Sequence, residues 1–145
     1  MGTPAWRQGR RVPRGVVVSR YGPRIAALER RAGRERAAIG GEDGTLATED
    51  VPVPNDPETY LREGAGRAIW LYVEGRTGGR MVPFSAAELD ALERAMNWWL
   101  ECYTRCYGVE LEAAFTVREA AELLVQTRNI DDVGQLLTGV PARTV

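Results

Sequence analysis

Cys102 and Cys106 stand four residues apart, and no histidine occurs anywhere in the chain. On a helix, cysteines at i and i+4 have Cα atoms near the far limit for a disulfide, with poorly aimed Cβ vectors. Two thiolates without histidine need carboxylates or a second subunit to complete a four-ligand zinc shell. Both therefore read as buried free thiols. The lack of histidine also removes Ser-His-Asp and Cys-His machinery and the usual neutral-pH general base. The carboxylates Glu88, Asp90, Glu93, Glu101, Glu110, Glu112, Glu119 and Glu122 fall at helix N-termini or on polar faces, where solvation and helix dipoles account for them. No catalytic residue, cofactor or metal site is assigned, and a carboxylate-based enzyme is the third of three functional readings.

Arginine is the other chemically active set. All 19 basic residues are arginine, whose planar fork suits carboxylate and phosphate alike. Residues 1–36 carry ten arginines against Glu29 and Glu35, while residues 37–145 carry nine against eighteen carboxylates. A net of +8 thus precedes a net of −9, giving the overall −1. Such asymmetry suggests a basic arm on an acidic body. Residues 1–48 are rich in Gly, Pro and Arg and poor in large apolar side chains, so they read as a disordered arm. Within it, Ile25, Leu28 and Ala32 share helical spacing over Arg24 to Ala38, weakened by Gly33 and stopped at Gly40-Gly41. Three roles are open for this arm. Arg7, Arg10, Arg11, Arg14, Arg20 and Arg24 can meet nucleic-acid phosphates without reading sequence. The arm can also tether onto an acidic surface, or be a translated leader ahead of a downstream start such as Val51.

The elements that would position these groups occupy residues 49–141, a single compact domain, with 142–145 as a tail. Asp56 and Pro57 open a short helix that Gly64 or Gly66 ends. Ala68 to Glu74 alternates Ile69, Leu71 and Val73 against Trp70 and Tyr72, which predicts a strand. Gly75 to Gly79 reads as a turn and Arg80 to Phe84 as the returning strand. Ser85 and Glu88 form a capping box that starts the principal helix. Along it, Leu89, Leu92, Met96, Trp99, Tyr103 and Cys106 make a heptad-like seam, and Gly108 closes it. Val109 to Phe115 alternates again and is a candidate third strand. Thr116 and Glu119 cap a helix to about Arg128, and a last short helix from Asp131 ends at Gly139 and Pro141.

Two resemblances follow from these residues. The composition over Glu42 to Pro141, lysine-free and acid-rich, resembles that of small uncharacterised proteins of halophilic archaea, which implies no activity. Phe115 to Pro141 resembles the helix-turn-helix of excisionase-type DNA-binding proteins. It has Phe-Thr-Val-Arg-Glu-Ala-Ala-Glu-Leu-Leu, a short break, a second helix and a closing Gly-Val-Pro. The resemblance implies a second helix placed in the major groove. This chain departs from the family at Val125, Gln126 and Thr127, where glycine and a small polar residue are usual. The presumed reading helix opens with Asp131-Asp132 and offers Gln135 as its base reader.

The expected fold is α+β: a small antiparallel sheet, a hairpin or three strands, against a long central helix and a C-terminal helical pair. The leading functional expectation is a non-enzymatic interaction or regulatory module, homodimeric through Met96, Trp99 and Tyr103. The second is a nucleic-acid-binding protein using the basic arm, the C-terminal helices or both. The longest uninterrupted apolar run, Ala68 to Val73, is far too short to span a bilayer, and only Val16-Val17-Val18 follows Arg10-Arg11. A cytoplasmic location without membrane or metal partners is therefore expected.

Overall fold

A computed structural model of the chain describes residues 20–39, 56–77 and 83–142. Among these residues there is no strand, and the fold is all-helical, which overturns the α+β expectation. Five helical stretches build it. Helix α1 is Gly22–Ile39. Helix α2 spans 57–77 as one unbroken rod: a turn at Pro57–Thr59, a π segment at Tyr60–Ala65 and an α-helix at Gly66–Thr77. Helix α3 is Ala86–Arg105, α4 is Val117–Thr127 and α5 is Ile130–Thr138.

The residues expected to form the first strand lie inside α2. A short apolar run does not by itself distinguish a strand from a buried helix. Its flanks decide the matter: Leu61, Ala65, Ala68, Ile69 and Val73 are all buried, and they recur at helical spacing across the whole rod. Gly64 and Gly66, expected to stop the first helix, sit inside it. A Cβ at Gly64 would lie 2.5 Å from Trp99 Cγ, so this glycine lets the indole pack directly on the π backbone. The expected turn at 75–79 is likewise absent where it is described. Gly75 is helical and buried, and a Cβ there would lie 2.4 Å from Phe84 Cζ. Phe84 is stacked between Tyr21 and Tyr72, at 6.0 Å from each ring centroid. Residues 78–82, the rest of the expected turn and most of the returning strand, lie outside the described residues.

Helix α1 falls within residues read as an arm, over nearly the stretch where a short helix from Arg24 to Ala38 was expected, and it packs on the core. Tyr21, Ile25 and Ala32 are buried, with Leu28 and Ile39 packed at the edge of the core. Their spacing of four, three, four and seven is a heptad seam. This seam lies along α3 and forms the most extensive helix pairing in the molecule. The bury-or-stay-disordered test failed on composition because alanine and arginine dilute an apolar stripe without breaking it.

Helix α3 begins as expected. Ser85 Oγ accepts from Glu88 N at 3.0 Å, and Glu88 Oε1 accepts from Ser85 N at 3.0 Å. Leu92, Ala95, Met96, Trp99, Leu100 and Cys102 are fully buried, so α3 is the axis around which the other helices pack. Gly108, at φ +78°, turns the chain away after Arg105.

Residues 109–116 form neither helix nor strand and pair with no strand among the described residues. Their partner is a ladder of α3 side chains. Glu101 Oε2 accepts from Ala113 N at 2.9 Å, Asn97 Oδ1 from Phe115 N at 3.0 Å, and Glu93 Oε2 from Val117 N at 3.1 Å. Asn97 Nδ2 also donates to Phe115 O at 2.9 Å. Residues 93, 97 and 101 repeat every four on one helix face, and 113, 115 and 117 repeat every two along an extended chain. Helical rise over four residues, about 6 Å, nearly equals extended rise over two, about 6.6 Å. The alternation expected to mark a third strand is thus real, with a helix as its partner.

Helices α4 and α5 close the core. The Thr116–Glu119 capping box is formed as expected, with Glu119 N 3.1 Å from Thr116 Oγ1. Arg128 takes the left-handed conformation at φ 56°, and Asn129 Oδ1 caps α5 through Asp131 N and Asp132 N. No helix among the described residues is long and apolar enough to cross a membrane.

Candidate functional site

The interaction face expected from sequence is interior. Met96 and Trp99 are wholly buried and Tyr103 is 3% exposed, covered within one chain by α1, α2 and the C-terminal segment. Tyr103 Oη donates to Val140 O and stacks edge-on with Tyr107 at 5.4 Å. The face cannot receive a second copy without unfolding. Cys102 and Cys106 are free thiols, as their spacing predicts. Burial pushes the Cys102 thiol up to about 12 and raises Cys106 as well, which makes both poor nucleophiles at neutral pH. Among the described residues no three metal-ligating side chains cluster.

Of the six arginines expected to form a nucleic-acid arm, Arg7, Arg10, Arg11 and Arg14 lie outside the described residues. Arg20 and Arg24 are described, and each guanidinium lies 5.2 Å from the Tyr21 ring centroid. Arg24 also opens onto a groove that the sequence did not reveal.

This groove runs between α1 and the first two-thirds of α2 and encloses about 510 Å³. Helix α1 contributes Arg24, Ala27, Leu28 and Arg31, one face of two turns. Helix α2 contributes Arg62, Gly66, Arg67, Trp70 and Leu71, again one face. Among the described residues, the lining thus holds four guanidinium groups and no carboxylate. The floor is apolar, and Trp70 stands 58% exposed, the most open of the protein's large rings among the described residues.

Each guanidinium is held from behind. Arg31 Nε lies 2.9 Å from Glu35 Oε2, and its guanidinium sits 5.5 Å from the Trp99 ring centroid. Arg62 Nη2 lies 2.8 Å from Asp131 Oδ2, which anchors it to the start of α5, and 3.7 Å from Glu58 Oε2. The two carboxylates raise its pKa, Asp131 the more. Arg67 pairs with Glu63 one turn back, and that bond holds the Glu63 carboxyl below its usual range. Arg24 rests on Tyr21, with Glu74 at 3.8 Å. These carboxylates orient the forks while remaining outside the groove. Three of the four side chains stay more than half exposed and Arg31 stays 36% exposed. Exposed pairs in general are worth only about 0–1 kcal/mol, so an incoming anion can share or displace those of Arg24, Arg62 and Arg67, while Arg31 stays tied to the partly buried Glu35.

A second hollow, beside α3, is acidic on balance: Asp90, Glu93 and Glu101 line it together with Arg94. Two of those carboxylates are the rungs that hold residues 113 and 117, and Glu101 also accepts from Arg36 at 2.6 Å. Their work is structural. In the C-terminal pair, Gln135 Nε2 donates to Pro141 O at 3.1 Å, so the residue singled out as base reader is bound to its own chain.

Arg62, Arg67 and Trp70 were missed because 68–74 reads as a strand, and Arg31 because residues 1–48 read as a disordered arm. As a helix, residues 62, 66 or 67 and 70 fall on one stripe, and that spacing was the signal available.

No curated protein and no solved structure matches the chain. A family model described as "Domain of unknown function (DUF8055)" matches residues 19–142. The match begins just before α1, so the family unit includes the helix that composition had assigned to an arm. Covering most of the chain's length, it shows that the protein belongs to the DUF8055 domain family.

Proposed function

We propose that the protein is a non-enzymatic binding module whose working surface is the α1–α2 groove, and that its partner is anionic there. One observation carries this reading: four preoriented guanidinium groups and an open indole line a concavity to which no carboxylate among the described residues contributes. Catalysis lacks comparable support, since Glu93 and Glu101 are engaged with backbone N–H groups and both cysteines are held as thiols.

The test is calorimetric titration of the full chain with inorganic polyphosphate. Arg24→Gln and Arg67→Gln alter side chains that are each 57% exposed, so the fold should survive the double change. The expected result is binding that the double variant weakens by about tenfold or more, as two charge-assisted contacts are lost. Equal affinity for the double variant and the parent would remove the groove from the account.

A further inference from the structure

We infer that the groove takes single-stranded nucleic acid, with Trp70 as the platform for a base and Arg24, Arg31, Arg62 and Arg67 as phosphate contacts. The inference rests on the reading of the groove as an anion-binding surface and names the class of anion. Its added ground is the combination of groups. A purely anionic partner needs the guanidiniums but gives an open indole nothing to do. A nucleotide strand supplies both a flat π-face and a phosphate at short intervals, and such strands are bound by positively charged grooves interleaved with aromatic rings.

The shape points the same way. The lining arginines lie seven positions apart on α1 and five on α2, about 10.5 and 7.5 Å of helix rise, which matches a footprint of a few nucleotides. The groove is concave, so nothing protrudes from it to enter a duplex groove, and paired bases remain stacked out of reach of Trp70. Unpaired bases can be splayed onto a ring. The acidic start of α5, with Asp131 committed to Arg62 and Asp132 exposed, adds no duplex-reading surface. An acidic peptide would satisfy the forks alone, and it becomes the alternative outcome of the test.

The test is fluorescence anisotropy of the full chain with labelled oligothymidine and oligoadenosine strands, a duplex of the same length, and polyglutamate as competitor. It is run over a series of salt concentrations. Trp70→Ala changes a side chain that is mostly in solvent, and its fold is checked by a thermal melt. The expected result is single strand bound tighter than duplex, with Trp70→Ala weakening it at least about fivefold, the lower end for loss of one stacked base. Arg24→Gln with Arg67→Gln should also flatten the logarithmic salt slope by about 1.4, at 0.7 per phosphate on a single strand. Both effects must appear in the full chain, where the arginines of residues 1–19 remain and cannot imitate them. Binding of single strand unaffected by Trp70→Ala overturns the inference. If polyglutamate binds and the arginine variant weakens it while no strand binds, the nucleic-acid inference fails and the anion-binding reading survives. If neither binds, both fail.

Discussion

Trp99 Nε1 donates to Glu35 Oε1 at 2.7 Å, joining the central helix to the helix that composition assigned to a disordered arm. The indole is fully buried, so Glu35 is its hydrogen-bond partner in a place where water is not on offer. Arg31 completes the arrangement by pairing with Glu35 and covering the indole face. The groove and the core are therefore coupled through three residues. Glu35→Ala should destabilise the fold by about 1–3 kcal/mol, the cost of leaving a buried donor unsatisfied, and Glu35→Gln should recover part of it. Urea titration of both variants checks this. A chain beginning at residue 47 should lack cooperative unfolding, because it loses the α1 face of the core.

Gly64→Ala should destabilise although alanine favours helices by about 1 kcal/mol over glycine. The added methyl would meet a rigid buried indole 2.5 Å away, on a backbone held by the π turn. Overpacking of this kind costs about 1–3 kcal/mol. A raised denaturation midpoint would show that the indole has room to move.

Asn97→Ala removes two bonds to Phe115. The expected loss is about 1–3 kcal/mol, with amide exchange accelerated at Phe115 and its neighbours. Exchange unchanged there would mean the extended segment is held by packing alone. Asn97→Asp should restore only the rung that accepts from Phe115 N.

Alkaline pH should weaken the protein through its buried acids. Cys102 is pushed from its ordinary 9.0 up to about 12 by burial. Between those values the folded chain keeps a proton that the unfolded chain has lost. The stability contributed by the neutral thiol is complete below pH 9 and is lost as pH rises towards 12. Burial raises Tyr60 and Tyr103 as well, which adds to the decline. Urea midpoints should fall across this window, less steeply in Cys102→Ala, and iodoacetamide at neutral pH should leave Cys102 unmodified in the native chain.

Tyr60 Oη is buried and has no hydrogen-bond partner among the described residues. Tyr60→Phe should therefore be neutral or stabilising by about 1 kcal/mol, since it removes an unsatisfied group and keeps the ring. A clear loss of stability in thermal melts would reveal a partner for that hydroxyl.

Capping chemistry was legible in the sequence, whereas the stops read at Gly64, Gly66 and Gly75 fall inside one helix. Ser85 with Glu88 and Thr116 with Glu119 announce two helix starts because a capping box needs only neighbours in the chain. Gly108 marks the end of α3 for the same reason. What failed was every inference that depended on what lies across the core. The Ala68–Val73 run has strand-favouring residues, yet its burial is set by Trp99 and the helices around it. Residues 109–116 alternate truly, but nothing local says that their partner is a row of Glu and Asn side chains on α3. Residues 22–39 look too charged to pack because the arginines that lower their hydropathy stand on the outer face and along the groove. The groove itself was invisible once Trp70 had been placed on a strand.

The central claim is that Arg24, Arg31, Arg62, Arg67 and Trp70 form one anion-binding surface. Its most direct test is two-dimensional NMR of the arginine side-chain and tryptophan indole N–H resonances during titration of the full chain with inorganic polyphosphate. Saturable shifts are expected at these five residues, with the indole of buried Trp99 moving little. Shifts confined to arginines outside the groove, or none at all, would contradict it.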